Sequence, residues 1–461
     1  MAKRKPKYAV DKNKSYEAEV IDLTYEGMGV VKIDNYPLFI EGALTGENIR
    51  FKVIKTNKNF GYGRLEEILT ESPDRVEIEN KIYSNTGTMP LQHMTYEAQL
   101  KFKQDQVSNN LQRTAKIIDI PVYETLGMDE PYGYRNKAQI PVQMVDGVLA
   151  TGTYRQRSHD LIPLEDFKIQ DPEIDRAIVI VRNILRKYQI EAYDEVALTG
   201  LIRHLIIRRG YYTGELMVVL VINGSHLPHQ EEIVDEIIEA LPDTVSVMQN
   251  INDKNTNVIL GRKSHVLYGE DKYRDRLLDF TFEISHQSFY QVNPIQTEKL
   301  YQTVIDYADL TEDDVVVDAY CGIGTISLAL SRHAKQVYGI EIVEDAVQNA
   351  ERNAAINQVD NVKFFVGASE EILPQWAEEG RQVDVLVVDP PRKGLEEDFI
   401  EASLIMAPER IVYVSCNPAT LARDVKYFTE NGYQAVKAQP VDMFPQTLHI
   451  ECVIGMQRKD T

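Results

Sequence analysis

From about residue 310 onward, short apolar runs recur with helical stretches between them, and this alternation is what most constrains the fold. Runs at 315–320, 336–342, 362–366, 383–388 and 411–415 read as strands; 325–333, 344–356 and 418–431 read as helices; 448–456 reads as a closing edge strand. Alternating βα units imply an α/β architecture with a mostly parallel, doubly wound sheet. In such a sheet, ligands and reactive groups gather outside the carboxyl ends of the strands. The run Ile411-Val412-Tyr413-Val414-Ser415 breaks at Cys416-Asn417-Pro418, leaving a cysteine at a strand tip. A lone cysteine is ordinarily a small buried hydrophobe, so its surroundings must decide what it does.

Three features supply those surroundings. Gly322-Ile323-Gly324 forms a tight turn between a strand and a helix, letting backbone approach a ligand closely. Glu341 follows Gly322 by 19 residues, the interval of an acid that bonds ribose hydroxyls. A nicotinamide dehydrogenase would prefer Gly or Ala where Ser327 stands. The segment 318–324 instead resembles the cofactor loop of S-adenosylmethionine methyltransferases. Asp389-Pro390-Pro391 is a rigid turn straight after a strand, suited to flanking the cofactor's methyl group. Finally, Glu451 sits on the last strand, where it and Cys416 can face one crevice.

A cysteine with a carboxylate is what carbon methylation of a pyrimidine demands. C5 of uracil is a poor nucleophile, and thiolate addition at C6 converts the ring into an enolate whose C5 can attack a sulfonium methyl. A base must then remove the C5 proton so that the thiolate can leave. A free cysteine of pKa about 8.5 is mostly thiol at neutral pH, so the site is expected to lower it.

At 461 residues the chain should split into about three domains. No apolar run approaches the ~18 residues a bilayer requires, and the basic N-terminus lacks the apolar core of a secretory signal. Three cysteines, at 321, 416 and 452, make neither a disulfide framework nor a metal-ligand spacing, so the reducing cytoplasm is the expected compartment and no metal is expected. Net charge is −21, which argues naively against nucleic acid, but residues 285–461 carry 28 acidic and 14 basic side chains and hold two-thirds of the excess.

The expected divisions are a disordered basic arm (1–14, net +5), a small barrel (15–70), a central α+β domain (71–284) and the cofactor domain (285–461). Short alternating runs with Gly and Asn turns in 15–70 suggest a closed barrel like an oligonucleotide-binding fold. Lys55, Lys58, Phe60 and Tyr62 interleave charge and aromatics as a stacking surface for single-stranded RNA would. Residues 91–113 read as one helix. Arg135, Lys137, Arg155, Arg157, Arg203 and Arg208 fall in three clusters of the central domain and together suggest a phosphate-tracking face, although such arginines are more often ion-pair partners.

Five motifs stand in one order: Ser288-Phe289-Tyr290-Gln291-Val292-Asn293, Asp318-Ala-Tyr-Cys-Gly-Ile-Gly, Asp389-Pro-Pro-Arg392-Lys-Gly, Ser415-Cys-Asn-Pro and His449-Ile-Glu451. By these the chain resembles the RNA (uracil-C5)-methyltransferase family over essentially its whole length. The resemblance implies a Rossmann-like S-adenosylmethionine domain, Cys416 as nucleophile and Glu451 as base. It places Gln291, Tyr320, Glu341, Asp389 and, less directly, Thr325 on the cofactor. His449, Cys321 and Cys452 read as structural. The small barrel looks like the TRAM domain carried by 23S rRNA members and absent from tRNA members, which makes 23S rRNA the expected partner; no obligate protein partner is evident. Many rRNA members hold an iron–sulfur cluster on cysteines just before a Leu-Gln-His segment. Here Asn85-Thr86-Gly87-Thr88-Met89-Pro90 precedes Leu91-Gln92-His93, and without thiolates no cluster can be built. The chain is therefore similar to cluster-free members of Gram-positive type, some of which modify two rRNA uridines.

Two other readings compete. An amino-group methyltransferase needs no cysteine and would survive Cys416→Ala. A noncatalytic RNA-binding factor that keeps the sheet as a scaffold would bind no S-adenosylmethionine.

Overall fold

The computed structural model describes residues 9–78 and 80–459; most of the basic arm, with Lys3, Arg4, Lys5 and Lys7, lies outside them. The described chain divides into two compact units, one running to Gln106 and including Gln446–Leu448, the other from Val107 onward. Among the described residues no helix is long and apolar enough to cross a membrane.

The first unit is built on a six-stranded sheet, in the order Ser15–Glu19, Asn48–Thr56, Gly61–Thr70, Tyr36–Glu41, Gly29–Ile33, Asp22–Leu23. Period-two alternation buries Val31, Leu38, Ile40, Ile49, Phe51 and Val53 on one face. At Gly63 a Cβ would stand 2.5 Å from Ile40 and 2.7 Å from Phe51, so only glycine lets the strands pack there. The helix expected over 91–113 begins only at Tyr96, where the Thr95 hydroxyl accepts the Ala98 N–H at 3.3 Å. It runs to Asn110 and ends in one wide turn, Leu111–Ala115, closed by Lys116 at φ +62°.

The second unit holds two seven-stranded sheets. The central one runs Lys263–Gly269, Thr244–Ile251, Leu216–Ile222, Ile202–Arg209, Lys137–Val145, Val148–Tyr154, Leu161–Pro163. The other contains strands β1 (Val315–Ala319), β2 (Gln336–Glu341), β3 (Val362–Val366), β4 (Val385–Val388), β5 (Arg410–Ser415), β6 (Tyr433–Val441) and β7 (Glu451–Arg458), in the order β3-β2-β1-β4-β5-β7-β6. Pairing is parallel from β3 through β5, and β7 runs antiparallel to both neighbours. Connecting helices include α1 (Thr325–Ser331), α2 (Glu344–Ile356), α3 (Ser369–Glu378), α4 (Glu397–Met406) and α5 (Pro418–Glu430). Both faces are covered, which is why the strands read as unbroken apolar runs: Val316, Val387, Val412 and Val453 pack on one side, Val317, Leu386, Tyr413 and Ile454 on the other.

One expectation is corrected here. The last strand is not an edge: β7 lies between β5 and β6, and β6 takes the edge. In β6 the Lys437, Gln439 and Pro440 positions dilute the apolar pattern that would have announced a strand.

Candidate active site

The carboxyl ends of β1, β2, β4 and β5 meet one cleft of about 870 Å³, within the size range of small-molecule sites. At the end of β1 the chain turns through Tyr320 (φ +67°), Gly322 (φ +56°) and Gly324 (φ +82°) into α1. A side chain at Gly324 would strike Phe364 at 2.8 Å, so the turn packs tightly on the sheet. Glu341 ends β2 and holds this loop: its carboxylate accepts the Gly322 N–H at 3.1 Å and the Val343 N–H at 2.9 Å. Beneath it Asp318 is fully buried and accepts the Ser327 hydroxyl at 2.5 Å, and burial pushes its carboxyl up to about 7.

Gln291, Tyr320, Glu341, Asp389, Cys416 and Glu451 all line this cleft. Thr325 does not; it opens α1 and shares a 2.8 Å hydrogen bond with the Tyr301 hydroxyl. The cleft suits S-adenosylmethionine: an acid stands at the β2 terminus for a ribose diol, and the exposed Ile342 with Ala368 offers apolar surface for a purine.

Cys416 occupies the junction between β5 and α5. Asn417 caps the helix by accepting the Ala419 N–H at 3.1 Å, and Pro418 fixes its first turn. Ser415 pairs with Cys452 across the β5–β7 ladder, so the next position outward sets Cys416 opposite Glu451. Burial, then the charges of Glu451 and Asp389, push the thiol up to about 11, with Arg392 opposing. The thiol is thus raised where lowering was expected, because burial first, and then the two carboxylates, outweigh the one guanidinium acting on the sulfur. Burial and the neighbouring Asp389 likewise hold the Glu451 carboxyl well above its usual range, again against Arg392. His449 lines the cleft in edge contact with Phe444; Cys321 and Cys452 are buried.

Arg392 was missed as a site residue, although it directly follows the two prolines. Its carbonyl accepts from the Asn417 amide at 3.1 Å and the Thr420 hydroxyl at 3.3 Å, which ties this turn to the Cys416 turn. Glu370 was also missed, because α3 was not recognised; it accepts the Tyr320 hydroxyl at 3.0 Å.

The central-domain cations separate into two kinds. Arg155 and Arg157 are exposed on the turn after Val148–Tyr154, and Arg135 and Lys137 are half-buried. Burial, with Arg208 and Arg135 nearby, lowers the Lys137 ammonium to about 8. Arg203 and Arg208 are only 5% and 1% exposed, which corrects their expected place on a phosphate-tracking face. Arg203 donates to the carbonyls of Asn252, Lys254 and Thr256. Arg208 donates to those of Ser285 and Ser288 and so holds the segment leading to Gln291. In the first unit, Phe39, Phe60 and Tyr62 cluster with centroids 5.6–5.8 Å apart, and the Lys55 ammonium lies 5.8 Å from the Tyr62 ring.

Comparison with known proteins identifies the family. Residues 95–459 match the tRNA (uracil-5-)-methyltransferase family model. An uncharacterized RNA methyltransferase of Enterococcus faecalis is 55% identical over 97% of this chain and 98% of its own. One of Lactiplantibacillus plantarum is 53% identical over 98% of each. The Pyrococcus abyssi tRNA (uracil-54, C5)-methyltransferase, solved with S-adenosyl-L-homocysteine, superposes with a TM-score of 0.75 at 25% identity, covering 95% of this chain and 99% of that one. A match of that extent takes in the N-terminal sheet, so the sheet does not by itself separate rRNA from tRNA enzymes. On the family match over residues 95–459 and relatives 53–55% identical along nearly the whole length, the chain belongs to the S-adenosylmethionine-dependent RNA (uracil-C5)-methyltransferase family.

Proposed function

We propose that this enzyme makes 5-methyluridine at one or two positions of cytoplasmic 23S rRNA, with Cys416 as nucleophile and Glu451 as base. The observation that supports it best is the pairing of Cys416 and Glu451 on one cleft wall beside Asp389. Bound S-adenosylmethionine supplies an electrophilic methyl group on a cationic sulfur. The Cys416 thiolate adds to C6 of uracil, and the electron pair moves to make C5 nucleophilic. C5 takes the methyl group and then carries both it and a hydrogen. Glu451 removes that hydrogen as a proton, the C5–C6 double bond re-forms, and the C6–S bond breaks to release the thiolate. A high proton affinity at Glu451 favours this abstraction. Gln291, Tyr320, Glu341 and Asp389 hold the cofactor, while Thr325 steadies its loop through Tyr301.

Residues 285–461 form the methyltransferase domain in this reading, and 71–284 and 15–70 bind RNA, the latter as a TRAM-like barrel with its Phe39–Phe60–Tyr62 surface. Arg135, Lys137, Arg155 and Arg157 contact phosphates. A tRNA substrate is the second reading, favoured by what the Pyrococcus abyssi enzyme acts on. Mapping 5-methyluridine in rRNA and tRNA from a strain lacking the protein decides between them. Loss from 23S rRNA is expected; loss from tRNA alone overturns the rRNA assignment, and no loss from either overturns the reading as a whole.

A further inference from the structure

We infer that a second cavity, adjoining the reactive cleft at Phe289, is a subsite for a nucleotide flanking the target uridine; this rests on the RNA reading above. The cavity, of about 660 Å³, opens between the strand Lys263–Gly269, the segment 285–289 and α2. It shares Phe289, Gly322 and Glu341 with the reactive cleft; Gly322 and Glu341 belong to the cofactor side, so RNA passes from one cavity to the other over the exposed Phe289.

Its charges are arranged for an anion despite an acidic surrounding domain. Lys272 is engaged with Asp271 at 3.2 Å, and Glu341 is engaged with the Gly322 and Val343 N–H groups. That leaves Arg262 on the central-domain wall and Arg352 on α2, both exposed and neither with an ion-pair partner among the described residues. Asp345, exposed in the first turn of α2, is the one acid on these walls not so engaged. A guanidinium on each wall offers paired N–H donors suited to a phosphodiester oxygen pair.

The floor offers recognition of a base rather than of charge. His286 shares a 2.8 Å hydrogen bond between Nε2 and the Ser264 hydroxyl. Its Nδ1 is buried and has no partner. Burial, followed by the charge of Arg208, holds this imidazole down at about 4, so at neutral pH it is uncharged and Nδ1 is a single donor or acceptor. Asn349 donates to the Ser288 hydroxyl at 3.3 Å, and the Ser288 and Ser285 hydroxyls are 2.8 Å apart, which fixes the floor around the imidazole. A buried ring nitrogen left without a partner is costly, and its residue, His286, lines the cavity. A nucleotide meets these demands, with phosphates on Arg262 and Arg352 and volume for a base beside the neutral His286.

The test uses the full-length protein and an rRNA fragment containing the target uridine, with Arg262→Gln, Arg352→Gln, the double variant and His286→Ala. RNA affinity is read by filter binding across a salt series, cofactor affinity by calorimetry, and methyl transfer as KM against kcat. The double variant should raise Kd and KM for RNA about tenfold and shrink the slope of log K against log salt by about 1.4, near 0.7 per contact. Cofactor affinity and kcat at saturating RNA should stay within about twofold. His286→Ala should flatten the response to changing the nucleotides beside the uridine while leaving the salt slope alone. Unchanged RNA affinity and salt slope in the double variant overturn the proposal. So does a loss confined to the cofactor, which would make the cavity an extension of that site. Because binding is measured without turnover, a parent enzyme that binds this RNA but fails to methylate it refutes the function reading separately.

Discussion

Cys416 and Glu451 stand opposite one another at the open end of the β5–β7 ladder, one step beyond the Ser415–Cys452 pair. Cys416 directly follows β5, and Glu451 opens β7. Asp389 reaches the same cleft from β4. Burial together with this concentration of acid makes the site a poor generator of thiolate and a good holder of protons. The tension between those two properties underlies the first three predictions.

Glu451→Gln keeps the volume of the side chain and removes the base. Methyl transfer should still occur, but the C5 proton should remain and the bond from Cys416 to C6 should persist. We expect turnover to fall roughly 10²–10⁴-fold, the usual contribution of a positioned base. A denaturing gel should show a slow, nuclease-sensitive protein–RNA band that vanishes when Cys416→Ala is added. Normal turnover, or a band that survives loss of Cys416, removes both assignments.

The same substitution should stabilise the fold. Unfolded, Glu451 ionises near pH 4.3; folded, burial and Asp389 hold its proton well above that. Between the two values the native state binds more protons than the unfolded state, so stability falls as pH rises. Glutamine does not titrate. The melting temperature of Glu451→Gln should exceed that of the parent at pH 8, and the difference should shrink toward pH 4. A difference that is equal at both ends, or reversed, contradicts a protonated Glu451.

Alkylation of Cys416 in the free enzyme should keep accelerating with pH to about 11, where its thiol titrates. Arg392 opposes the acids, so Arg392→Gln should move the profile further alkaline and slow alkylation at pH 8 several-fold. Mass spectrometry of the modified peptide separates Cys416 from the buried Cys321 and Cys452. A profile centred near 8.5 in the parent would mean that neither burial nor the carboxylates act on the sulfur as stated.

How far the sequence was legible follows from which forces local pattern reports. The β1 to β5 strands were visible because two covered faces make unbroken apolar runs, and Asn417-Pro418 marked the start of α5. β6 escaped because a polar-flecked strand resembles a loop until its partner is known. Glu341 stood out through its spacing from Gly322 and Asp389 through its Pro-Pro turn, whereas the effect of three strand ends on one thiol is a property of three-dimensional proximity. Arg203 and Arg208 illustrate the same limit: charge is written in the chain, but its burial against carbonyl oxygens is not.

That distinction predicts different phenotypes for two sets of arginines. Arg208→Ala leaves the Ser285 and Ser288 carbonyls without their donor inside the core, so it should destabilise the fold by about 1–3 kcal/mol, the cost of leaving buried acceptors unsatisfied. Arg155→Ala and Arg157→Ala should leave the melting temperature unchanged and weaken RNA binding, each reducing the salt slope by about 0.7. Denaturant melts with a filter-binding salt series decide this, and a fully stable Arg208→Ala with weakened RNA binding would return that residue to the RNA face.

Glu341 should dominate cofactor affinity, because one carboxylate both braces the glycine turn and faces the cleft. Hydrogen bonds to a charged acceptor contribute about 1.5–3 kcal/mol, so Glu341→Gln should weaken S-adenosylmethionine binding roughly 10- to 100-fold by calorimetry. Thr325→Val should have a smaller effect, since Thr325 acts through Tyr301 and does not line the cleft. Equal losses in the two variants would show that loop rigidity, and not contact with the ribose, sets cofactor affinity.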